Sequence, residues 1–283
     1  MGRVSQKYEE RIKKSYSEFR KSGLGKWAAV YYKGIFRNQY SDPKLIYDIF
    51  TKNIIGEIKK GSITIVDFGG GDGVLLNIIK QQLSKKNINT RAINLDTNEK
   101  SLKLCKNKYP WIESKKHNIT KKYKTSFADL ALSRFVLQYI NKKERPNFFK
   151  SMYLTLKKGG LLIILWPGND YTKEFNRFTS QITGLISKKS PKEMLKSHWY
   201  PSFNEAKKNI KNAGFNKIEK VKLKAILFTS ASSWKDRFKI NKNDFLKIER
   251  IYKYFFIRYP YLFKKLNKKI YITSNLFVIK AKK

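Results

Sequence analysis

A run of glycines between an apolar segment and a helical segment is the part of this sequence best suited to hold a ligand. Residues 65–68 (IVDF) lead directly into residues 69–73 (GGGDG), and helical periodicity follows. Glycine allows a sharp turn and lets a ligand approach the backbone closely, and the N–H groups at a helix N-terminus attract negative groups. The pattern predicts a cofactor site, and a tight turn without a ligand is the alternative.

The spacing of the glycines narrows the class of cofactor. A dinucleotide fingerprint G-x-G-x-x-G beginning at Gly69 would need glycine at position 74, where the chain has Val74. A phosphate-binding P-loop would need Gly-Lys-Ser or Gly-Lys-Thr, which this segment lacks. The remaining pattern, D-x-G-x-G-x-G from Asp67 to Gly73, is followed 23 residues later by a second acid, Asp96. A carboxylate can accept two hydrogen bonds from a vicinal diol, and capping of the next helix is the alternative role of Asp96.

These residues resemble the glycine motif and second acid of the class I S-adenosylmethionine (SAM) dependent methyltransferases, close to the type 11 and type 12 groups. The resemblance extends over roughly residues 60–230 and the terminal strand. It implies that Asp67 lies near the ammonium of the methionine moiety and that Gly69 and Gly71 pack against the cofactor. It also implies that Asp96 holds the ribose hydroxyls. The implied cofactor is SAM, and the implied product is S-adenosylhomocysteine.

The same resemblance supplies further residues around the cofactor. After the third strand the family usually has an acid that accepts from the adenine amine. This chain has Asn118 there, whose side-chain oxygen can still accept, and Ile119 would cover the adenine face. Residues 129–138 match the fourth strand and the turn beside the methionine portion, and residues 157–162 match the turn into the fifth strand. The predicted cofactor-binding residues are Asp67, Gly69, Gly70, Gly71, Asp72, Gly73, Asp96, Thr97, Asn118, Ile119, Ser133 and Arg134.

Aminopropyltransferases of the spermidine synthase type share the string GGGDG and bind decarboxylated SAM. They have an aspartate-rich segment after the fourth strand that holds a polyamine, whereas this chain has Ser133, Arg134 and Phe135 there. A cationic pocket entrance repels a polyamine. The sequence therefore favours methyl transfer over aminopropyl transfer.

The residues that would act on the acceptor are less clearly marked. Methyl transfer from a sulfonium requires in-line positioning in a dry pocket, and no dedicated catalytic residue is obligatory. A hydroxyl acceptor needs a base, for which His198 is the candidate, and a packed or surface histidine is the alternative. The chain lacks the NPPY or DPPY signature of amino-group methylation on adenine or glutamine. Cys105 alone cannot form the cysteine pair that attacks cytosine.

Three functions are compatible with these features. The first is methyl transfer to a small-molecule, sugar or lipid-linked acceptor, the second is RNA methylation using a basic surface, and the third is SAM binding without turnover. The chain has 62 Lys and Arg against 21 Asp and Glu, a net charge of +41 that attracts polyanions and anionic membrane surfaces without specificity. Only 11 of the 62 are Arg, the lysines are spread along the chain, and no recognised RNA-binding module is appended. The first function is therefore favoured.

The composition of the chain also indicates where the protein is located and which metal sites it can form. The single cysteine, Cys105, and the two histidines, His117 and His198, cannot form a zinc site alone. The longest apolar stretch, residues 161–166, is far shorter than a membrane span. The N-terminal residues lack the apolar run of a signal peptide. We expect a cytoplasmic protein, and a peripheral location at the membrane surface is the alternative; the oligomeric state is not indicated.

Short apolar strands alternate with amphipathic helices, which indicates the sheet that must position these residues. The predicted fold class is α/β, a Rossmann-like doubly wound seven-stranded sheet with its last strand antiparallel. The predicted strands are 63–68, 91–96, 115–119, 130–133, 160–166, 218–229 and 271–280. The predicted helices are 73–85, 99–108, 142–156 and 204–213, and Gly159 is expected to close the third.

Segments outside this sheet complete the predicted organisation. Residues 1–58 are expected to be helical, with an amphipathic helix at 8–21 and a helix opened by Asp42 and Pro43. Residues 27–40 resemble the lid that many small-molecule methyltransferases fold over the cofactor, and core packing by their aromatic side chains is the alternative.

The methyltransferase domain then covers residues 59–283, with inserts at about 168–200 and 231–269. The second insert repeats Phe, Tyr and Ile at helical spacing among basic residues. This pattern predicts helices beside the acceptor pocket, and a helix lying on a membrane surface has the same pattern.

Overall fold

The computed structural model of the chain describes residues 29–33, 35–38, 41–58, 61–221, 223, 225–238, 240–266 and 269–283. The chain forms two compact units that interleave along the sequence. Unit 1 contains the described residues of Met1–Gln39, Pro167–Tyr200 and Lys224–Leu276, and unit 2 contains those of Tyr40–Trp166, Pro201–Leu223 and Phe277–Lys283. These bounds differ from the predicted division at residue 58, and the lid role of the N-terminal segment stays a prediction. The predicted helix at 8–21 lies outside the described residues.

Eleven strands are present in the described part of the chain. They are β1 Ala29–Tyr32, β2 Ile35–Asn38, β3 Ser62–Phe68, β4 Asn89–Asp96, β5 Ile112–Lys116, β6 Ala128–Arg134, β7 Leu156–Gly168, β8 Asn216–Lys220, β9 Ala225–Ser230, β10 Phe263–Leu266 and β11 Lys269–Lys282. The helices of unit 2 are Pro43–Ile46 and Lys52–Glu57, joined by the π-helical turn Tyr47–Thr51, then Val74–Ser84, Glu99–Lys108, Arg145–Thr155 and Phe203–Asn212. The helices of unit 1 are Thr172–Ser187, Pro191–Ser197, Ala231–Phe238 and Lys242–Arg258.

The sheet of unit 2 has the predicted doubly wound order. Its parallel strands lie side by side as β7-β6-β3-β4-β5. Strands β3, β4 and β5 follow one another toward one edge of the sheet, and the next strand, β6, lies on the other side of β3. The strand order therefore reverses between β3 and β6, and doubly wound folds bind ligands at such a point.

The core of unit 2 explains why its central strands are almost continuously apolar. A parallel sheet covered on both faces buries both sides of each strand, and in β3 every residue from Ile65 to Phe68 is buried. On the helical side, the indole of Trp166 stacks on Phe203 at 6.4 Å between ring centres. Its Nε1 donates to the carbonyl of Pro201 at 3.0 Å. The single polar atom of this buried ring is thus satisfied.

Unit 1 contains an antiparallel sheet and an aromatic core. Strands β2, β1, β9 and the first half of β11 lie in that order, and β10 pairs with β11. The ring of Phe178 makes edge contacts with Tyr252, Phe255 and Phe263 at centre distances of 4.9 to 5.3 Å. The Tyr252 hydroxyl accepts from Trp234 Nε1 and donates to the Thr229 carbonyl.

Several predicted elements are confirmed. Asp42 caps the helix that starts at Pro43, and its side chain accepts from Leu45 N–H at 2.7 Å. The helices Val74–Ser84 and Glu99–Lys108 match the predicted 73–85 and 99–108 closely. The predicted final strand is β11, and it is antiparallel to β8 and β9. The insert 231–269 is helical over Ala231–Phe238 and Lys242–Arg258, as predicted, and ends in β10.

Other predictions are wrong at the level of single elements. Residues 29–32 and 35–38, expected to be helical with the rest of 1–58, form β1 and β2, because β1 pairs with β9 and this tertiary pairing overrides the local aromatic pattern. The predicted strand 218–229 is two strands, β8 and β9, and the described part of the chain has eleven strands where seven were predicted. Gly159 does not end a helix: the helix ends at Thr155 and Gly159, with φ of 75°, lies within β7.

In the described part of the chain, no helix has the length and apolar character that crossing a bilayer requires.

Candidate functional site

The predicted cofactor residues lie at one edge of the unit 2 sheet, where parallel strands end. The glycine segment 69–73 follows β3, Asp96 ends β4, Asn118 and Ile119 follow β5, and Arg134 ends β6. Since the carboxyl ends of parallel strands meet at the same edge, the topology gathers these residues. This edge includes the reversal of strand order between β3 and β6, where a ligand crevice is expected.

Positive φ angles give the glycine segment its shape. Gly69, Gly71 and Gly73 have φ of 80°, 56° and 78°, a region that other residues adopt only with strain. A Cβ on Gly69 would lie 2.5 Å from Val136 Cγ2, and one on Gly73 would collide with Cys105 Sγ. A Cβ on Gly71 would meet no atom within 4 Å. Packing thus requires Gly69 and Gly73, whereas Gly71 borders open space that a ligand can fill.

Asp96 is held in place by backbone donors. Its Oδ2 accepts from Gly71 N–H at 2.9 Å, and its Oδ1 accepts from Asn98 N–H at 2.8 Å. The cap of the helix Glu99–Lys108 is Asn98, whose side chain accepts from Ser101 N–H, so Asp96 does not have the capping role. Each carboxylate oxygen can accept a further hydrogen bond. The carboxylate is therefore fixed in position with acceptor capacity left for a diol.

Asp67 is a buried carboxylate. The residue is 1% exposed, and neither carboxylate oxygen has a hydrogen-bond partner among the described residues. Burial raises the pKa of Asp67 to about 7; the positive charge of Arg134 opposes the rise and the negative charge of Asp96 adds to it. An unpaired buried carboxylate is costly. Its position directly before the glycine turn makes it a candidate partner for a cationic group of a ligand.

Asn94 is a site residue that the sequence analysis did not single out. It is fully buried in β4, its Nδ2 donates to the Gly71 carbonyl at 2.8 Å, and its Oδ1 has no partner in the described part of the chain. A Cβ on Gly70 would lie 2.5 Å from Asn94 Oδ1 and 2.7 Å from Asp67 Oδ2, so both oxygens approach the turn at Gly70. In the sequence, the feature that could have identified Asn94 is its amide side chain inside the apolar strand segment 92–95.

The predicted adenine contacts lie in a loop, because β5 ends at Lys116 and not at Ile119. Asn118 Oδ1 accepts from both the N–H and the hydroxyl of Thr120, at 3.0 and 2.9 Å. The oxygen expected to accept from adenine is thus engaged in a local turn. Ile119 is partly buried and packs against the unit 2 core. The roles of Asn118 and Ile119 toward adenine stay predictions.

Ser133 and Arg134 differ in environment although they are adjacent at the end of β6. Ser133 is buried, and its hydroxyl donates to the Phe68 carbonyl at 2.9 Å, which ties β6 to β3. Arg134 is partly exposed, and its guanidinium carbon lies 6.0 Å from the centre of the Phe135 ring. Its charge acts on Asp67. Ser133 therefore supports the sheet edge, and Arg134 contributes charge to it.

The remaining predicted residues, Asp72 and Thr97, lie on the loops after β3 and β4. Asp72 Oδ1 accepts from Val74 N–H at 3.4 Å, and Thr97 is exposed. The helix Val74–Ser84 starts from Gly73 and has no side-chain N-cap. Cofactor contacts by Asp72 and Thr97 stay predictions.

The candidate base His198 lies in unit 1, directly after the helix Pro191–Ser197. It is buried, and its Nε2 lies 3.3 Å from Tyr200 Oη. Tyr200 is held by Asn176, which accepts from the Tyr200 N–H at 2.7 Å and donates to the Tyr200 carbonyl at 2.9 Å. This is the environment of a packed histidine, and the role of His198 as a base stays a prediction.

A known family matches the part of the chain that contains the glycine turn. Residues 66–164 match the family model of a methyltransferase domain. The match begins within β3 and ends within β7, and it includes Asp67, the glycines and Asp96. No curated protein sequence is significantly similar to this chain.

Solved structures with the same fold include methyltransferases of low sequence identity. One, described as a methyltransferase of Bacillus halodurans C-125, has a TM-score of 0.62 and 15% identity over 82% of this chain and 96% of its own. A geranyl diphosphate methyltransferase bound to SAM has a TM-score of 0.51 and 11% identity, over 85% of this chain and 84% of its own.

A third similar structure contains an acceptor and the product of the cofactor. It is a phosphoethanolamine N-methyltransferase 2 of Haemonchus contortus in complex with phosphomonomethylethanolamine and S-adenosylhomocysteine, with a TM-score of 0.50 and 14% identity over 83% of this chain and 52% of its own. The similar structures establish the fold, and the matched family establishes the domain. Residues 66–164 therefore match a methyltransferase domain, and the chain has the fold of the class I, SAM-dependent methyltransferases.

Proposed function

We propose that the protein transfers the methyl group of SAM to a small-molecule acceptor. The observation that carries the proposal is the buried carboxylate of Asp67, which lacks a hydrogen-bond partner among the described residues and lies beside a glycine turn at the strand-order reversal. A packed turn with no ligand would not need a carboxylate at this cost. A cationic ligand such as the ammonium of SAM provides the missing partner.

The residues at the sheet edge match the polar groups of SAM. Asp67 offers a carboxylate to the ammonium, Asp96 offers two fixed oxygens to the ribose diol, and Gly71 borders open space beside the turn. When bound, SAM supplies an electrophilic methyl group on a positively charged sulfur. The protein contributes binding, orientation and exclusion of water, which are the main requirements of an in-line displacement.

Asp96→Ala is expected to weaken SAM binding by about 1.5–3 kcal/mol, the scale for loss of charge-assisted hydrogen bonds. Titration calorimetry with SAM measures the change. Glu99→Ala is the matched control, since it removes an acid on the neighbouring helix that is paired with Lys116 at the surface. Equal affinity of the Asp96→Ala variant and the unchanged protein would contradict this assignment of Asp96.

Three observations support a small acceptor. The similar structures name phosphomonomethylethanolamine and geranyl diphosphate, which are both small molecules. The lysines are spread along the chain and only 11 of the 62 cationic residues are Arg, whereas an RNA site concentrates Arg and stacking aromatics. Diffuse charge of this kind produces weak, salt-sensitive RNA binding without turnover.

The proposed base depends on the acceptor atom. An amine with a free lone pair needs no base beyond solvent, whereas a hydroxyl must lose its proton during the transfer. For a hydroxyl acceptor we propose His198, whose Nε2 is within reach of the Tyr200 hydroxyl.

The acceptor class is tested by supplying labelled SAM to cell extract separated into RNA, protein, lipid and small-molecule fractions at near-physiological salt. Label is expected in the small-molecule fraction, which includes sugars, or in the lipid fraction if the acceptor is lipid-linked. Label at one defined nucleotide of RNA would overturn the proposal. Binding of SAM without label in any fraction would favour a non-catalytic SAM-binding protein.

A further inference from the structure

The outward side of the helix Lys242–Arg258 in unit 1 is an exposed surface with both apolar and basic side chains. One side of this helix packs in the unit 1 core through Ile248, Tyr252 and Phe255. The opposite side carries three large apolar residues that are 43%, 51% and 81% exposed, namely Leu246, Tyr254 and Ile257. Residues spaced by three or four positions share a helix face, so these three side chains form one stripe. We call this stripe, with Lys247, Arg250 and Lys253, the outer face.

The charge of the helix is also one-sided. It has five basic residues, Lys242, Lys247, Arg250, Lys253 and Arg258, and two acids, Asp244 and Glu249. Both acids are half-buried, and Asp244 is paired with Lys247 at 3.3 Å. At 100° per residue, both acids lie toward the flanks and the outer face contains none. The cations Arg250 and Lys253 therefore lie among the apolar side chains of the outer face.

A groove beside the outer face continues this combination. It has a volume of about 440 Å³. It is lined by the cations Lys189, Lys247 and Arg250, by the apolar residues Leu185, Pro191 and Ile251, and by Gln181. All of these residues belong to unit 1. A lining of cations and aliphatic side chains matches a phosphate group attached to an apolar chain.

We propose that the outer face binds the surface of a lipid bilayer that contains anionic lipids. A helix binds such a surface when aliphatic and aromatic side chains enter the interface while Lys and Arg contact the headgroups. Leu246, Tyr254 and Ile257 supply the first contribution, and Arg250 and Lys253 supply the second. The groove accepts a headgroup phosphate at the edge of the contact.

The exposed aliphatic residues distinguish a bilayer from a nucleic acid. RNA is bound through its phosphates, through base stacking on aromatic rings and through hydrogen bonds. Ile257, the most exposed large apolar residue of the described chain at 81%, gains nothing from those contacts. In a bilayer interface the same side chain is removed from water, which is favourable for an apolar group.

The proposal is tested by flotation of the full chain with vesicles of phosphatidylcholine alone and of phosphatidylcholine with phosphatidylglycerol, at near-physiological salt. Binding is expected only with the anionic vesicles. Leu246→Glu combined with Ile257→Glu is expected to weaken it about tenfold or more, since apolar contacts are lost and negative charge is added. Both positions are exposed, so the unfolding midpoint is expected to stay unchanged.

Two matched controls separate this surface from the overall charge of +41. Leu104 on the helix Glu99–Lys108 is 50% exposed among lysines, and Leu104→Glu is expected to leave vesicle binding within twofold. Arg250→Gln with Lys253→Gln is expected to weaken binding, whereas Lys103→Gln with Lys106→Gln, which removes the same charge elsewhere, is expected to leave it nearly unchanged.

Several outcomes would overturn the proposal. These are no binding to anionic vesicles, equal binding to uncharged vesicles, and equal loss in the outer-face variants and their controls. Binding of an RNA oligonucleotide to the same set of variants is the last measurement. If the outer-face substitutions weaken RNA binding but leave vesicle binding unchanged, the surface is a polyanion site and the lipid proposal fails.

Discussion

Asp67→Asn is expected to make the cofactor-free protein more stable at pH 8, by roughly 2–4 kcal/mol. The native protein holds this carboxyl in a fully buried position where its pKa is about 7, against 3.8 in the unfolded chain. Ionisation of Asp67 at pH 8 therefore lowers the free energy of unfolding. An amide of the same shape carries no charge, and the penalty is removed.

The sign of the pH dependence follows from the same two pKa values. As pH rises from about 4 to 7, the unfolded chain releases its proton before the native state does, so the native state loses stability. The gain from Asp67→Asn should be largest above pH 7 and much smaller at pH 5. Urea unfolding of both proteins across this range measures it. A gain of the same size at pH 5 and pH 8 would exclude ionisation of Asp67 as its cause.

The same substitution is expected to reduce SAM affinity at pH 8 by about tenfold or more, because the charge-assisted contact to the ammonium is lost. The unchanged protein should bind SAM less tightly as pH falls below about 7, since Asp67 must release its proton to form that contact. The variant should lose this pH dependence. Titration calorimetry at several pH values checks both expectations, and a variant that binds as tightly as the unchanged protein would refute them.

Glu205→Ala is expected to destabilise the protein by about 3–5 kcal/mol. Its carboxylate accepts from Arg145 Nη1 at 2.9 Å, and the Arg145 side chain is 1% exposed. Burial lowers the pKa of Arg145, and the charge of Glu205 opposes that change. Removing the acid leaves a buried cation without its carboxylate partner, although its Nε still donates to the Ile140 carbonyl.

Glu205→Gln is the matched control for this effect, because its side-chain oxygen can still accept from Arg145. Its expected cost is smaller, about 1–2 kcal/mol. Urea unfolding at neutral pH compares the two variants. A loss below about 1 kcal/mol for Glu205→Ala would mean that the buried guanidinium finds another partner when the acid is removed.

The central sheet and its glycine turn could be predicted from the sequence because their signals are local. The apolar strand, the glycines and the start of the next helix lie within about a dozen residues of one another, so their pattern can be identified in one short segment. The structure has these elements as predicted. Asp67 and Asp96 are placed at the sheet edge by strand ends alone. A parallel strand that is buried on both faces has a continuous apolar sequence, and this pattern identifies such a strand without knowledge of its partners.

The errors arise where a segment depends on a distant partner. Strand β1 forms because β9, almost two hundred residues later, pairs with it, and the aromatic pattern of 27–36 is compatible with a helix until that partner is known. Strand β5 is a hydrophilic strand at the end of the strand order and pairs with β4, so periodicity could not fix its register. Asn94 was missed because its role depends on the carbonyl of Gly71, which is close only in the folded sheet.

The late position of strand β11 in the sequence determines when the two units can be completed during protein synthesis. Its first half pairs with β9 in unit 1, and its second half pairs with β8 in unit 2, where Lys283 is hydrogen-bonded to Gly159 and Gly160. Neither unit has all of its strands until the ribosome has made residues 269–282. Unit 2 can form its parallel strands earlier, since β3 to β7 are all made by residue 168. A nascent chain stalled before residue 269 therefore exposes an unpaired strand edge in each unit, a substrate for chaperones that hold such edges apart.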